Sequence, residues 1–372
     1  MKKLKVVYVS GSRADYSLMR RTLIKLARKV DLTIITTCMH LSKKFGYTIR
    51  EIEKDRLKTK RVKMPLDKDT LEAMVESFGI GISGIAKTIK KISPDIVFVE
   101  ADRGEALAGA IAGSHLNIKV LHHGGGDLSK SIDNKIRYAI TMFSDYHLAG
   151  NEESYQRLLR IGIPREKIFK VGEPGLDDIY EKDFTSQEEI AKKYKLNLKK
   201  PSLILAQYPN TEEHGDVKKQ IRETLEAVKN LKIQTVAVYS NSDAGGRAIN
   251  KTLEKYARNL PFFRVYPSIE RRDFLGLMNV CDAILGNSTT GIVELPSFKK
   301  PFICIGTRQK NRLRAGNTIE AGYNKDSIIK AIKKALYDKK FQKKLSKIRN
   351  PYGDGKSSER IVRIILKIGQ KL

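Results

Sequence analysis

The chain has 372 residues, more than one ordinary hydrophobic core supports, so its length predicts two domains. Hydrophobic residues make up 41%, which excludes a disordered chain, and no apolar run reaches the roughly 18 residues of a membrane helix. The formal net charge is +29, but lysines such as Lys192, Lys193, Lys195 and Lys199, or Lys339, Lys340, Lys343 and Lys344, lack the interleaved aromatics of a single-strand nucleic-acid platform. They read as solvated helix faces, so neither nucleic acid nor membrane is the expected partner.

At the start of the chain, the apolar run 6–9 is followed by Arg13 and Asp15. That is a first strand entering a polar loop, not a leader, and it places the protein in the cytoplasm. Strand-like runs follow at 32–36, 96–99, 120–121 and 147–149, separated by helical patterns at 16–29, 71–91, 104–115, 132–143 and 152–161. Alternating strands and helices predict a parallel sheet covered on both faces. Gly172, Pro174 and Gly175 break the pattern, and it then restarts. Strands are expected at 203–206, 235–239, 263–266, 283–285 and 302–305, with helices at 217–229, 246–259, 271–279 and 291–298. A last helix at 357–371 carries Ile361, Ile364, Ile365 and Ile368. The predicted fold is α/β with two Rossmann-like domains, 1–175 and 176–355, and a C-terminal helix, 356–372, that closes the second domain or crosses back to the first.

Cys38, Cys281 and Cys304 show no paired spacing, which fits small buried residues in a reducing compartment better than a zinc site.

Open parallel sheets bind ligands beyond the carboxyl ends of their strands, so the loops there are the candidates. Ser10–Asp15 places Arg13 at a helix N-terminus, where anions are favoured. Glu100–Glu105 gathers carboxylates and Arg103 at a strand tip, either an acid/base cluster or a capping box. The loop His122–Asp127 holds two histidines and three glycines. In the second half, Gly286–Gly291 opens a helix with hydroxyls and free N–H groups suited to a diphosphate, and Glu294 one turn on can accept from ribose hydroxyls. Arg308, Lys310, Arg312 and Arg314 follow in one short loop, a basic surface segment or an anion clamp.

The segments SGSRADYSLM, EADRGEALAGAIA, HHGGGDLSKSIDNKIRYAITMFSDYH, FKVGEPGLD, GNSTTGIVELPSF and IGTRQKNRLRAGN, with three others in consistent order over about the first 320 residues, together resemble the hydrolysing UDP-N-acetylglucosamine 2-epimerases. The resemblance implies a glycosyltransferase-B type fold with a deep interdomain cleft. It implies a UDP-sugar partner held mainly by the second domain, a homodimer or homotetramer, and no required metal or other cofactor. It assigns Asp102 and Asp133 as catalytic carboxylates and Arg103 as the catalytic neighbour of Asp102. Arg13, Ser17, Asn241, Ser288, Thr289, Glu294, Arg308 and Arg312 become substrate or nucleotide contacts. The implied reaction removes the sugar C2 proton as UDP leaves C1, then hydrates the glycal to a free epimerised sugar. The chain departs from the family pattern at Gly124, where a catalytic glutamate is expected, at Tyr138 and Tyr208, where histidines are expected, and at Ala101, where glycine is expected. His123, beside the missing glutamate, is the candidate replacement base. These departures keep a second expectation open: a glycosyltransferase-B type enzyme, or a nucleotide-sugar-binding protein, without 2-epimerase activity.

Overall fold

The computed structural model describes residues 3–65, 70–210 and 216–372. The chain divides into two compact units, one of Met1–Leu128, Ile132–Tyr180 and Tyr352–Leu372, the other of Ser129–Ser131 and Glu181–Pro351.

The first unit is built on seven strands: β1 Lys5–Ser10, β2 Asp31–Thr36, β3 Lys58–Arg61, β4 Ile96–Glu100, β5 Lys119–His123, β6 Tyr146–Ala149 and β7 Ile168–Lys170. Their order is β3-β2-β1-β4-β5-β6-β7, and every pairing is parallel. Its helices are α1 Arg13–Ala27, α2 Ile49–Lys54, α3 Leu71–Ile92, α4 Gly104–His115, α5 Ile132–Met142, α6 Glu152–Arg160 and α7 Gly175–Tyr180. Period-2 alternation sends Val6, Tyr8, Ile34 and Phe98 into one core layer and Val7, Val9, Ile35 and Val97 into the other. The second layer packs on α3, α4 and α5. The first is completed by Leu23 and Leu26 of α1 and by residues from the far end of the chain.

The second unit holds β8 Ser202–Ala206, β9 Gln234–Val238, β10 Phe263–Tyr266, β11 Ala283–Gly286, β12 Phe302–Ile305 and β13 Thr318–Ala321, all parallel, in the order β10-β9-β8-β11-β12-β13. Counted from β8, this is the 3-2-1-4-5-6 order of a dinucleotide-binding sheet. Its helices are α8 Gln187–Lys193, α9 Val217–Leu231, α10 Gly246–Asn259, α11 Arg271–Val280, α12 Thr290–Val293, α13 Lys325–Tyr337 and α14 Lys339–Leu345. The helix expected over 291–298 is shorter: α12 ends at Val293, and a single 3₁₀ turn, Leu295–Phe298, follows. Pro296 in that turn has no N–H to continue an α-helical ladder.

The last helix, α15 Ser357–Gly369, belongs to the first unit, where Ile361, Ile365 and Ile368 enter the core layer of α1. Its N-terminus lacks a cap from its own sequence. Asp177 of α7 supplies one, accepting from the N–H groups of Ser357 (3.0 Å) and Ser358 (2.7 Å). Among the described residues no helix is long and apolar enough to cross a membrane.

Candidate functional site

Each sheet reverses its strand order at one point, between β1 and β4 in the first unit and between β8 and β11 in the second. Ligands of such sheets lie beyond the strand ends at that reversal. All twelve candidate residues lie at a strand's carboxyl end, in the segment after it or in the helix behind it, six in each unit.

In the first unit Asp102 lies just past β4, and its carboxylate is paired with the Arg137 guanidinium. Arg137 is only 1% exposed, so its charge needs fixed partners. It also donates to the Asp127 carbonyl (3.2 Å) and reaches Asn134 Oδ1 at 3.5 Å. Asp133 is in the first turn of α5, one turn before Arg137 on the same helix. Asp102 and α5 are therefore tied together by a buried cation. Arg103 is the N-cap residue of α4 and faces Glu105 at 3.3 Å.

The backbone here is unusual. Ala101 has φ 59, the left-handed region that favours glycine, which accounts for the glycine expected there by resemblance. His122 holds the turn: its Nε2 donates to the Ala101 carbonyl at 2.8 Å, and Thr141 Oγ1 lies 3.3 Å from its Nδ1. Burial keeps the His122 ring neutral, lowering its pKa to about 3. Gly124 has φ 86, and a Cβ there would sit 3.3 Å from the Ala101 Cα. The loop that presents no carboxylate at 124 is thus packed directly against the turn that carries Asp102.

His123 does not suit the expected role of free base. It is fully enclosed; Nδ1 lies 2.7 Å from Glu100 Oε2, and Nε2 lies 3.1 Å from the Gly172 carbonyl. Both ring nitrogens are engaged, so neither is open to a sugar. Burial works against its charge, but Glu100 and Glu173 outweigh it and raise the pKa to about 10.

Arg13 opens α1 and pairs with Glu51, while its Nε and Nη1 are buried without hydrogen-bond partners among the described residues. The turn before it is fixed by Asp15, which accepts from Gly11 N (3.0 Å) and Ser12 N (2.9 Å) and also binds Ser10 Oγ. Ser10 Oγ in turn lies 2.8 Å from His40 Nε2. Burial raises the Asp15 pKa to about 7, partly offset by those hydrogen bonds. The Ser17 hydroxyl is committed to the Ala14 carbonyl at 3.2 Å.

In the second unit, Asn287 follows β11 and clamps Tyr208 after β8. It accepts from Tyr208 N at 2.7 Å and donates to the Tyr208 carbonyl at 2.8 Å. Arg308 Nη1 donates to the Asn287 carbonyl at 3.2 Å, and its guanidinium sits 5.6 Å from the Tyr208 ring centre. Ser288 is buried, and its Oγ lies 3.4 Å from Thr290 N at the start of α12. Thr289 is the N-cap residue of that helix. Glu294 is buried and paired with Arg271, an ion pair no local spacing announced. Arg312 is 9% exposed, in the same loop as Arg308. Asn241 lies after β9, its amide donating to Asp243 Oδ2 at 2.6 Å. The loops after β8, β11 and β12 are thus joined into one polar, cationic edge.

Residues that composition and motif left without a role are Arg137, which anchors Asp102, and Asn287, which joins two loops. Both act across long sequence separations that no short motif records.

Two parallel α/β sheets with their polar edges at the strand carboxyl ends define a two-domain Rossmann-like protein of the glycosyltransferase-B type. The fold matches the crystal structure of UDP-GlcNAc 2-epimerase from Neisseria meningitidis bound to UDP-GlcNAc, with TM-score 0.83 at 20% identity over 98% of this chain and 100% of that one. It also matches the Methanocaldococcus jannaschii UDP-GlcNAc 2-epimerase in complex with UDP-GlcNAc and UDP, with TM-score 0.80 at 24% identity over 98% and 100% of the two chains. A sequence model of the family described as UDP-N-acetylglucosamine 2-epimerase matches residues 23–366, and the chain belongs to that family. A UDP-N,N'-diacetylbacillosamine 2-epimerase (hydrolyzing) from Legionella pneumophila is 35% identical over 98% of this chain and 96% of its own. A GDP/UDP-N,N'-diacetylbacillosamine 2-epimerase (hydrolyzing) from Campylobacter jejuni is 32% identical over 87% of this chain and 86% of its own.

Proposed function

We propose that the protein is a hydrolysing 2-epimerase that eliminates UDP from a UDP-N-acetylhexosamine and hydrates the resulting glycal to a free, 2-epimerised sugar. The observation that carries this is the 35% identity, over 98% of the chain, to a hydrolysing 2-epimerase. The names of the relatives favour a UDP-linked diacetamido sugar as substrate. In this reading domain 1–175 handles the sugar, with Asp102 and Asp133 moving protons and Arg103 beside them. Domain 176–355 holds the nucleotide through Asn241, Ser288, Thr289, Glu294, Arg308 and Arg312, and Arg13 and Ser17 meet the diphosphate. The Asp102–Arg137 pair supports the assignment, because a buried guanidinium held by several partners fixes where that carboxylate points. The protein works in the cytoplasm as a homodimer or homotetramer and needs no metal or redox cofactor.

A glycosyltransferase or a silent binding protein is not favoured, since the relatives are named as 2-epimerases. The decisive experiment incubates the protein with UDP-N,N'-diacetylbacillosamine or UDP-N-acetylglucosamine in deuterated water. The expected products are UDP and a free sugar with one deuterium at C2. Release of UDP with no deuterium at C2 rules out the elimination.

A further inference from the structure

A C2 epimerisation needs a base near the sugar, and the position where the resemblance expects a glutamate is Gly124. Three side chains at the carboxyl ends of β4, β5 and β7 form a separate cluster immediately beside it. Strand register sets Glu100 opposite His123, and the two are joined at 2.7 Å. Glu173 lies just past β7; its carboxylate and the ligating atoms of the other two all fall within 4.8 Å of one another.

The Gly172 carbonyl facing His123 Nε2 can only accept, so that nitrogen carries a hydrogen, and Nδ1 faces a carboxylate. The arrangement is an imidazolium between two carboxylates. Glu100 is 6% exposed and His123 fully enclosed, whereas Glu173 is only partly buried, so the cluster reaches outward through one carboxylate. The loop after β6 makes room for it: a Cβ on Gly150 would fall 1.8 Å from Glu173 Oε1.

We propose that Glu173 is the base that removes the sugar C2 proton, with His123 and Glu100 as positioning residues that seat it. The inference rests on the 2-epimerase reading above. In the step, Glu173 takes the C2 proton, and the C–H electron pair becomes the C1–C2 double bond. The C1–O bond breaks with its pair leaving on UDP. Water then adds its hydroxyl to C1 and a proton to C2, and Glu173 returns its proton to solvent. His123 fills the residue before Gly124 and ties β4, β5 and the Gly172 turn together, so a base displaced from position 124 is still held by that loop.

The test compares wild type with Glu173→Gln, Glu173→Asp and His123→Gln for UDP release and C2 deuteration from UDP-N,N'-diacetylbacillosamine and UDP-N-acetylglucosamine, with UDP affinity measured separately. Glu173→Gln is expected to lower kcat by about 10²–10⁴-fold while the Kd for UDP stays within about threefold. It should also remove the acid limb of the pH profile of kcat/KM, which a purely structural role would leave in place. His123→Gln is expected to lower kcat less and to shift that limb. Should the Gln variant misfold, Glu173→Asp, with the same charge on a shorter arm, is expected to lose at least about tenfold in kcat. An active wild type with Glu173→Gln, or a folded Glu173→Asp, at wild-type kcat overturns the assignment. A wild type that places no deuterium at C2 overturns the 2-epimerase reading itself, whatever the variants do.

Discussion

Asp102 shows how a single carboxylate is prepared by residues remote from it in the chain. Its partner Arg137 is 35 positions away, and the turn that presents it stands on Ala101 in a left-handed conformation. Arg137→Lys keeps the charge but loses the planar fork that also holds the Asp127 carbonyl. Steady-state kinetics should show kcat lower by about tenfold or more, with UDP binding unchanged. Ala101→Gly should act the other way on stability, because the left-handed conformation costs an alanine about 1 kcal/mol. Thermal melting should register a rise of about 2–4 °C in the first unit. The carboxylate itself was readable from its place at the tip of a buried strand. Its pairing was not, because position 137 is set by where α5 docks and not by any local spacing. The enclosure of His123 was unreadable for the same reason: a histidine in a glycine-rich loop looks exposed until Glu100 and Gly172 are brought around it.

Among the elements, the central strands were legible, and of the four edge strands only β10, expected at 263–266, was. β1, β4, β8 and β11 are continuous apolar runs buried on both faces, which sequence pattern reveals directly. β3 reads Lys-Thr-Lys-Arg and lies at a sheet edge with most of its side chains exposed. Charge of this kind guards an open edge against pairing with another chain, and it also erases the hydrophobic signal. β7 and β13 are edge strands of only 3 and 4 residues. Helix α15 was legible from its isoleucines, but its cap was not, because Asp177 reaches it from α7. Asp177→Ala leaves two helix N–H groups without their acceptor and should destabilise the first unit by about 1–3 kcal/mol, seen as a lower urea midpoint. Asp177→Asn, which keeps one acceptor oxygen, should recover part of that loss.

The pH response of stability belongs to the whole molecule. Burial lowers His40 to about 4, His122 to about 3 and His147 to about 4, so each is neutral in the folded protein and ordinary when unfolded. Between pH 6.5 and about 4 the unfolded chain therefore binds more protons at these three sites, and their contribution to stability falls as pH falls. Asp15, raised by burial to about 7, opposes them, since the folded state holds its proton down to the ordinary aspartate range. Three histidines outweigh Asp15 and Asp177, whose pKa burial also raises, so acidification gives a net loss and urea midpoints should drop from pH 6.5 to 4.5. His123 works at the other end: raised to about 10, its stabilisation is full below pH 6.5 and disappears as pH climbs through 10. His123→Gln should therefore flatten the alkaline side of the stability profile and leave the acid side as it was.

The first unit takes its final core helix from the last residues of the chain, after the whole second unit has been written. On a ribosome the order of completion is then reversed relative to the order of synthesis. The second unit can close while its successor residues are still in the exit tunnel, whereas the first must wait with Leu23 and Leu26 uncovered until Ile361, Ile365 and Ile368 emerge. A stalled or shortened nascent chain would thus carry one finished six-stranded sheet and one unfinished, sticky one, and the waiting half is the part a chaperone would be expected to hold.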